Sequence, residues 1–371
     1  MSSPVSCLDP VQLQRDLGLR DLSDPAEGPH AIQILIGQAV AGLGRTWSCE
    51  VRWCRGPRIV PVADNYDRLG YPSQAISRDA RYTRYVDAGH MLRSHASAMV
   101  PPALRRLVRQ PSDNVLLVCP GIVYRRDAID WQHTGAPHQL DLWRITRRAM
   151  RDTDLDQMIA VLLGALTPGL AHRQQTRAHP YTRHGRQVDI RHDGRWVEAW
   201  ECGLAHPSVL AAAGLPGHSG LALGMGLDRL LMLAKHIPDI RLLRSPDPRN
   251  TCQMHDLAPY RHASTMPPIT RDLSIAVPED DDEETLGDRV RDALGTDAGC
   301  VEEIRVLSAT AYHQLPASAI ARLGARPGQT NLLVRVVLRD LDKTLTNQAA
   351  NALRDRIYQA LHQGTEYQWA G

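Results

Sequence analysis

Arg125 and Arg126 sit in the run Val123-Tyr124-Arg125-Arg126-Asp127-Ala128-Ile129-Asp130, which sets guanidinium groups beside carboxylates. A planar guanidinium offers paired N–H donors that fit phosphate oxygens, so Arg125 could clamp a phosphate; read alone, Arg125 and Asp127 equally make a surface ion pair. In Gly220-Leu221-Ala222-Leu223-Gly224-Met225-Gly226-Leu227-Asp228-Arg229-Leu230 the glycines are close enough for backbone to approach a nucleotide. Glycine spacing alone is weak evidence, but Arg229 adds a guanidinium that can stack and hydrogen-bond together. Glu198 by itself reads as a strand carboxylate paired with some arginine, and His95 by itself as a structural histidine.

These groups need a scaffold. At 371 residues, the chain suits a large domain plus a smaller one, and with 43% apolar and 23% charged residues it can bury a substantial core. A formal net charge of +2 imposes no global field, so any nucleic-acid surface must come from locally clustered arginines. The seven cysteines are scattered, without a CxxC pair or a histidine at metal spacing, and read as reduced thiols. No apolar run reaches bilayer length. Asp9, Asp16, Asp21, Asp24 and Glu27 make the beginning unlike an acid-poor organelle presequence, so a cytoplasmic protein is expected. Lys235 and Lys343 are the only lysines, and phenylalanine is absent although Tyr, Trp, Leu and Ile are used freely.

Residues 1–29 read as a polar lead-in. Ala31 to Val40 is an apolar helix or strand, and short apolar runs such as Val115-Leu116-Leu117-Val118 and Gln187-Val188-Asp189-Ile190 predict a mixed or antiparallel sheet. From Leu221 to Lys235 a glycine-rich strand enters a buried helix. After Met266-Pro267-Pro268 the pattern changes. It reads strand (Arg271 to Val277), helix (Glu283 to Leu294), strand (Val301 to Val306), strand (Leu332 to Leu338), helix, last short strand, the βαββαβ order of a ferredoxin-like domain. The second helix places Ala350, Leu353, Ile357 and Leu361 on one face. The fold class is α+β.

Separated segments resemble the class II aminoacyl-tRNA synthetases, specifically the single-chain phenylalanyl enzyme of mitochondria. They are Met91-Leu92-Arg93-Ser94-His95-Ala96-Ser97, the Val123 run followed by His138-Gln139-Leu140-Asp141, Trp196-Val197-Glu198-Ala199-Trp200-Glu201-Cys202-Gly203 and the Gly220 run. The resemblance implies a class II antiparallel-sheet catalytic domain over 30–262 and a ferredoxin-fold anticodon-binding domain over 263–371. It implies ATP and Mg2+, with tRNA and an aromatic amino acid as partners, in a monomer. Arg125 would clamp the α-phosphate while the substrate carboxylate attacks. Arg229 would pack on adenine and reach the γ-phosphate, and Gln139 would hold the ammonium group. His95 and Ser97 would flank the substrate, with His179, Tyr181 and Ala222 around its side chain. His138 and Asp141 would join the ATP site, and Glu198 would hold magnesium. Arg271, Arg335, Arg339 and Lys343 would meet RNA phosphates. Deletion after about Thr265 is expected to spare adenylate formation and remove charging.

The chain departs from that pattern wherever the family places phenylalanine. Tyr66, Pro137, Leu221, Leu223 and Ile275 stand in such positions, and His179 and Tyr181 replace two rings of the side-chain pocket. His179 brings a polar nitrogen that needs a partner if buried. A modified aromatic substrate or a catalytically inactive RNA-binding homologue are the competing readings. The missing phenylalanine fits translation under scarcity of charged phenylalanine tRNA, a product that misreads the phenylalanine codon, or design.

Overall fold

A computed structural model of the chain describes residues 7–79, 82–192, 194–262 and 266–367. It divides into two compact units. The first holds residues 1–125, 136–237 and 252–260, and the second holds 126–135, 238–251 and 261–371.

The strands of the first unit are β1 (Glu50–Trp53), β2 (Ile59–Pro61), β3 (His90–Leu92), β4 (Asn114–Ile122), β5 (His138–Thr146), β6 (His172–Thr176), β7 (Thr182–His192), β8 (Arg195–Ala205) and β9 (Ser219–Gly226). Seven of them form one sheet in the order β1-β4-β5-β9-β8-β7-β6. The β1/β4 pair is parallel and the others are antiparallel, so the sheet is mixed as expected. β4 is apolar almost throughout, and β5, although it carries His138, Gln139, Asp141 and Arg144, is buried too, which makes the two strands central.

The ambiguous apolar stretch is a helix, Ala31–Trp47. It is too long for a typical strand, and His30 caps it by accepting the Ile32 N–H at its Nδ1. Its Ile32, Leu35, Ile36, Ala39 and Leu43 are buried. The helix Leu227–Lys235 follows β9 directly, burying Leu227, Leu230 and Leu231. No described helix is long and apolar enough to cross a membrane, and all seven cysteines are free thiols.

In the second unit, β10 (Ile269–Pro278), β11 (Val301–Ala311) and β12 (Gln329–Leu338) form an antiparallel sheet in the order β10-β12-β11. One face is apolar and packs with the helices Glu283–Leu294 and Asn347–Leu361 through Ile275, Val277, Leu286, Val290, Val334, Val336 and Ile357. A short helix, Ala317–Leu323, interrupts the strand-to-strand connection that the sequence reading left plain. The acidic run before the first helix ends in its cap, Asp282, which accepts the Thr285 N–H at 2.8 Å. The last short strand has no counterpart among the described residues, although the Gln363 N–H donates to the Ala276 carbonyl on β10 at 2.8 Å. Residues 368–371 lie outside the described residues.

Candidate active site

Strand register gathers the predicted residues. Gln139 on β5 pairs with Gly121 on β4 at one side and Gly226 on β9 at the other. β4 and β9 therefore run parallel to each other with β5 between them, and Arg125 and Arg229 follow shortly after those glycines. Both guanidinium groups leave the sheet past the same end, on strands about 10 Å apart. On β8, Trp200 pairs with Met225, so Glu198 reaches that end too. Arg229 Nη1 donates to the Glu198 carbonyl at 3.4 Å and lies 3.9 Å from its carboxylate. Burial, then the neighbouring Glu201, raise the Glu198 carboxyl above its ordinary range. Arg125 is anchored by its Nε, which donates to the Ser94 carbonyl at 2.8 Å. Gly121 has to be glycine, because a Cβ there would lie 2.2 Å from the Arg93 guanidinium.

Beside this end is a cluster of stacked rings. Tyr181 stacks with His179 at 5.3 Å and with Trp143 at 5.9 Å, and Tyr71 stacks with His95 at 5.7 Å. Ala222, opposite Trp143 in the β5/β9 register, belongs to the apolar cluster against which Tyr71 and Tyr181 pack. The polar nitrogen of His179 has its partner, since Nε2 meets Glu201 at 2.5 Å, and Arg177 binds the same carboxylate at 2.7 Å. Burial and then the Arg125 charge push His95 down to about 3, so its ring is neutral. Asn65 Nδ2 can only donate towards His95 Nε2, at 3.4 Å, which leaves the proton on Nδ1. That buried Nδ1 has no protein partner. It is a donor ready for a carboxylate oxygen. Gln139 Oε1 accepts the Ala96 N–H at 3.1 Å and keeps a second lone pair for an ammonium group. Tyr71 and Glu201 were not foreseen; Glu201 lies in the Trp196-to-Gly203 run beside Glu198, whereas nothing in the sequence pattern marks Tyr71.

Two expected nucleotide contacts are corrected by burial. His138 is fully buried, its Nδ1 faces Asp228 Oδ1 at 2.9 Å, and its Nε2 accepts the Leu22 N–H at 3.1 Å. Neither ring nitrogen is left for ATP. Asp141 is also buried, between Cys119 and Gly224 in register, and Ser97 Oγ donates to its carboxylate at 3.0 and 3.1 Å. Ser97 is thereby committed to Asp141 rather than to the substrate.

Burial raises the Asp141 carboxyl from 3.8 to about 7, against the hydrogen bond from Ser97. Between those values the folded chain binds more protons than the unfolded chain. Stability attributable to this group therefore falls as pH climbs from about 4 to about 7 and is level beyond. Asp141→Asn removes that slope and is expected to raise stability at pH 8 by roughly 2–4 kcal/mol. Urea midpoints of both proteins from pH 4 to 8 check this; parallel curves would refute it.

The expected RNA contacts are largely engaged within the second unit. Arg335 forms a bidentate pair with Asp272 at 2.8 and 2.7 Å, and Arg339 meets Glu302 at 2.5 Å. Arg271 alternates with Asp272 along β10 and hydrogen-bonds Asn351 and Asn347 of the last helix. It thus lies on the helix-covered side, opposite Arg335. Lys343 is exposed, 4.0 Å from Asp340.

Residues 47–254 match the family described as tRNA synthetases class II core domain (F). The chain belongs to the class II tRNA synthetases. Among relatives of this synthetase, the phenylalanine–tRNA ligase alpha subunit of Nostoc punctiforme is 31% identical over 64% of this chain and 72% of its own length. Similar alpha subunits of another Nostoc and of Prochlorococcus marinus are covered over only 55% and 58% of their lengths. A probable mitochondrial phenylalanine–tRNA ligase of Drosophila melanogaster is 26% identical over 81% of this chain and 75% of its own length. The chloroplastic/mitochondrial phenylalanine–tRNA ligase of Arabidopsis thaliana is 27% identical over 81% and 68%. The cytoplasmic expectation is corrected by these last two, because the relatives that cover most of this synthetase are named organellar. The acidic residues behind that expectation serve the fold instead, since Asp16 and Asp21 are buried.

Proposed function

We propose that this synthetase ligates phenylalanine to its tRNA in two steps, through an aminoacyl-adenylate. The substrate carboxylate attacks the α-phosphorus of ATP and pyrophosphate leaves; the tRNA hydroxyl then displaces AMP. The observation that carries the reading is the convergence of Arg125, Gln139, Glu198 and Arg229 at one end of β4, β5, β9 and β8, beside the ring-lined pocket. Arg125 holds the α-phosphate in line, and Arg229 takes the far end of the triphosphate. The His95 Nδ1–H receives a carboxylate oxygen, Gln139 the ammonium group, and the rings of Tyr71 and Tyr181 the side chain. No general base is required, because a carboxylate is already a nucleophile.

The residues fit magnesium. Mg2+ is usually held by one or two carboxylates together with phosphates and waters, and Glu198 offers a carboxylate at the phosphate end. Glu198 would hold the ion there, which would supply charge neutralisation for the leaving pyrophosphate. The second unit is proposed as a ferredoxin-like anticodon-binding domain over 263–371, following a catalytic domain over 30–262. Its exposed sheet face carries Arg335 and Arg305, in register with each other. Lys343 is its remaining candidate for a phosphate. One chain holding both parts acts as a monomer.

Exchange of pyrophosphate into ATP across a panel of aromatic amino acids tests the reading. Phenylalanine is expected to support exchange about a hundredfold better than tyrosine, because His179 and Arg177 are already paired with Glu201 and leave no polar group built for a ring hydroxyl. Charging of phenylalanine tRNA should follow. Exchange with none of the panel would refute it.

A further inference from the structure

Residues 9–27 do more than precede the catalytic sheet. The helix Pro10–Leu17 starts in a capping box, Asp9 accepting the Val11 and Gln12 N–H groups while Gln12 Oε1 accepts the Asp9 N–H. Asp16 on this helix is buried and binds Arg84 Nη1 at 2.7 Å. The other terminal nitrogen of that guanidinium, Nη2, donates to the backbone carbonyl of Arg125 at 3.4 Å. Further on, Asp21 Oδ2 accepts the Ile122 N–H at 3.0 Å, at the end of β4 and three residues ahead of Arg125. Burial would raise the Asp21 carboxyl, but hydrogen bonds from Ser23 and Ile122 and the nearness of His138 hold it below its ordinary range.

A second arm reaches the other arginine. The Leu22 N–H donates to His138 Nε2, so the His138 proton sits on Nδ1 and is given to Asp228. The His138 N–H also donates to the second oxygen of Asp228. Asp228 directly precedes Arg229. Arg58 fixes the segment between the arms, donating to the Leu17 and Leu19 carbonyls at 2.8 and 2.6 Å and to Glu27 at 2.7 Å.

We infer that residues 9–27 form a strap whose Asp16–Arg84 and Leu22–His138–Asp228 arms position Arg125 and Arg229 for the nucleotide. Asp16, Arg84, Leu22, His138 and Asp228 are positioning residues that touch no substrate. The inference rests on the adenylate-forming reading above, and the test separates the two.

Arg84→Lys keeps a cation against Asp16 but loses the planar fork that spans Asp16 and the Arg125 carbonyl. In pyrophosphate exchange it is expected to lower kcat about tenfold, with the KM for phenylalanine unchanged and the melting temperature within a few degrees of wild type. Combining it with Arg125→Lys should cost less than the product of the two single effects, because both act through one guanidinium. Asp16→Asn should follow the same kcat pattern, and Asp16→Glu should restore most of the rate. If Arg84→Lys exchanges at the wild-type kcat while Arg125→Ala is inactive, the strap inference is overturned and the reading of the site stands. If Arg125→Ala keeps wild-type exchange, the reading itself falls. A kcat loss in Arg84→Lys that multiplies fully with Arg125→Lys, or that comes with an equally raised KM for phenylalanine, also overturns the strap.

Discussion

Arg125→Ala will reduce pyrophosphate exchange by about a thousandfold or more, while the protein melts as the wild type does. In-line displacement at phosphorus depends on holding the phosphoryl group and neutralising its developing charge, and losing one preorganised donor typically costs about 100- to 1000-fold. Arg125 supplies a two-pronged cation, so the upper part of that range applies. The side chain is half-buried and, among the described residues, its hydrogen bond is to the Ser94 carbonyl, so truncation is expected to leave the sheet intact. Arg125→Lys should recover only part of the loss, since an ammonium keeps the charge but not the fork. Single-turnover measurement of adenylate formation, alongside a thermal melt, separates the chemical effect from unfolding. An Arg125→Ala protein with normal exchange would remove the phosphate clamp from the mechanism.

Deletion of everything after Thr265 is expected to lower pyrophosphate exchange by at least about tenfold as well as abolishing charging. The sequence alone suggested that adenylate formation would survive. The residues immediately after Arg125 argue otherwise. Ile129 is buried in the apolar cluster of the second unit with Leu273, Leu286 and Val336. Arg291 donates to the Asp127 carbonyl and, at 2.6 Å, to the Ala128 carbonyl, while Arg126 lies 3.3 Å from Asp288. The Ile304 N–H donates to the Ile129 carbonyl at 2.9 Å. Truncation removes all these partners, exposing Ile129 at a cost of about 2 kcal/mol and freeing the loop that continues from Arg125. A truncated chain that exchanges pyrophosphate at the full rate would show that this loop needs none of them.

The central strands and the β9-to-helix turn were legible because their signals are local: apolar runs, glycines, and a helical spacing of leucines. The aromatic pocket was partly legible, through His179 and Tyr181 in one short segment. Its remaining wall, Tyr71 against His95, depends on the chain returning from a distant turn. His138 was misplaced for the same reason, since its partners Leu22 and Asp228 lie 116 and 90 residues away and no periodicity encodes them. Asp16 and Asp21 read only as part of an acidic, polar lead-in, and it is the buried Arg84 and the Ile122 N–H that explain why carboxylates belong there. The side taken by Arg271 was available all along: it shares parity with Leu273, Ile275 and Val277, which face the helices.

The span of the Leu22–His138 hydrogen bond also governs how the enzyme comes into being. A contact closing 116 residues of chain, continued by one closing another 90, forms only after the intervening strands have found their places. On the ribosome, residues 9–27 emerge before their partners, and although Arg58 and Arg84 can hold the segment early, the Leu22–His138–Asp228 arm is complete only once Asp228 has cleared the exit tunnel. Placement of Arg229 through the Leu22–His138–Asp228 arm is then among the last steps of maturation, later than the bulk of the sheet.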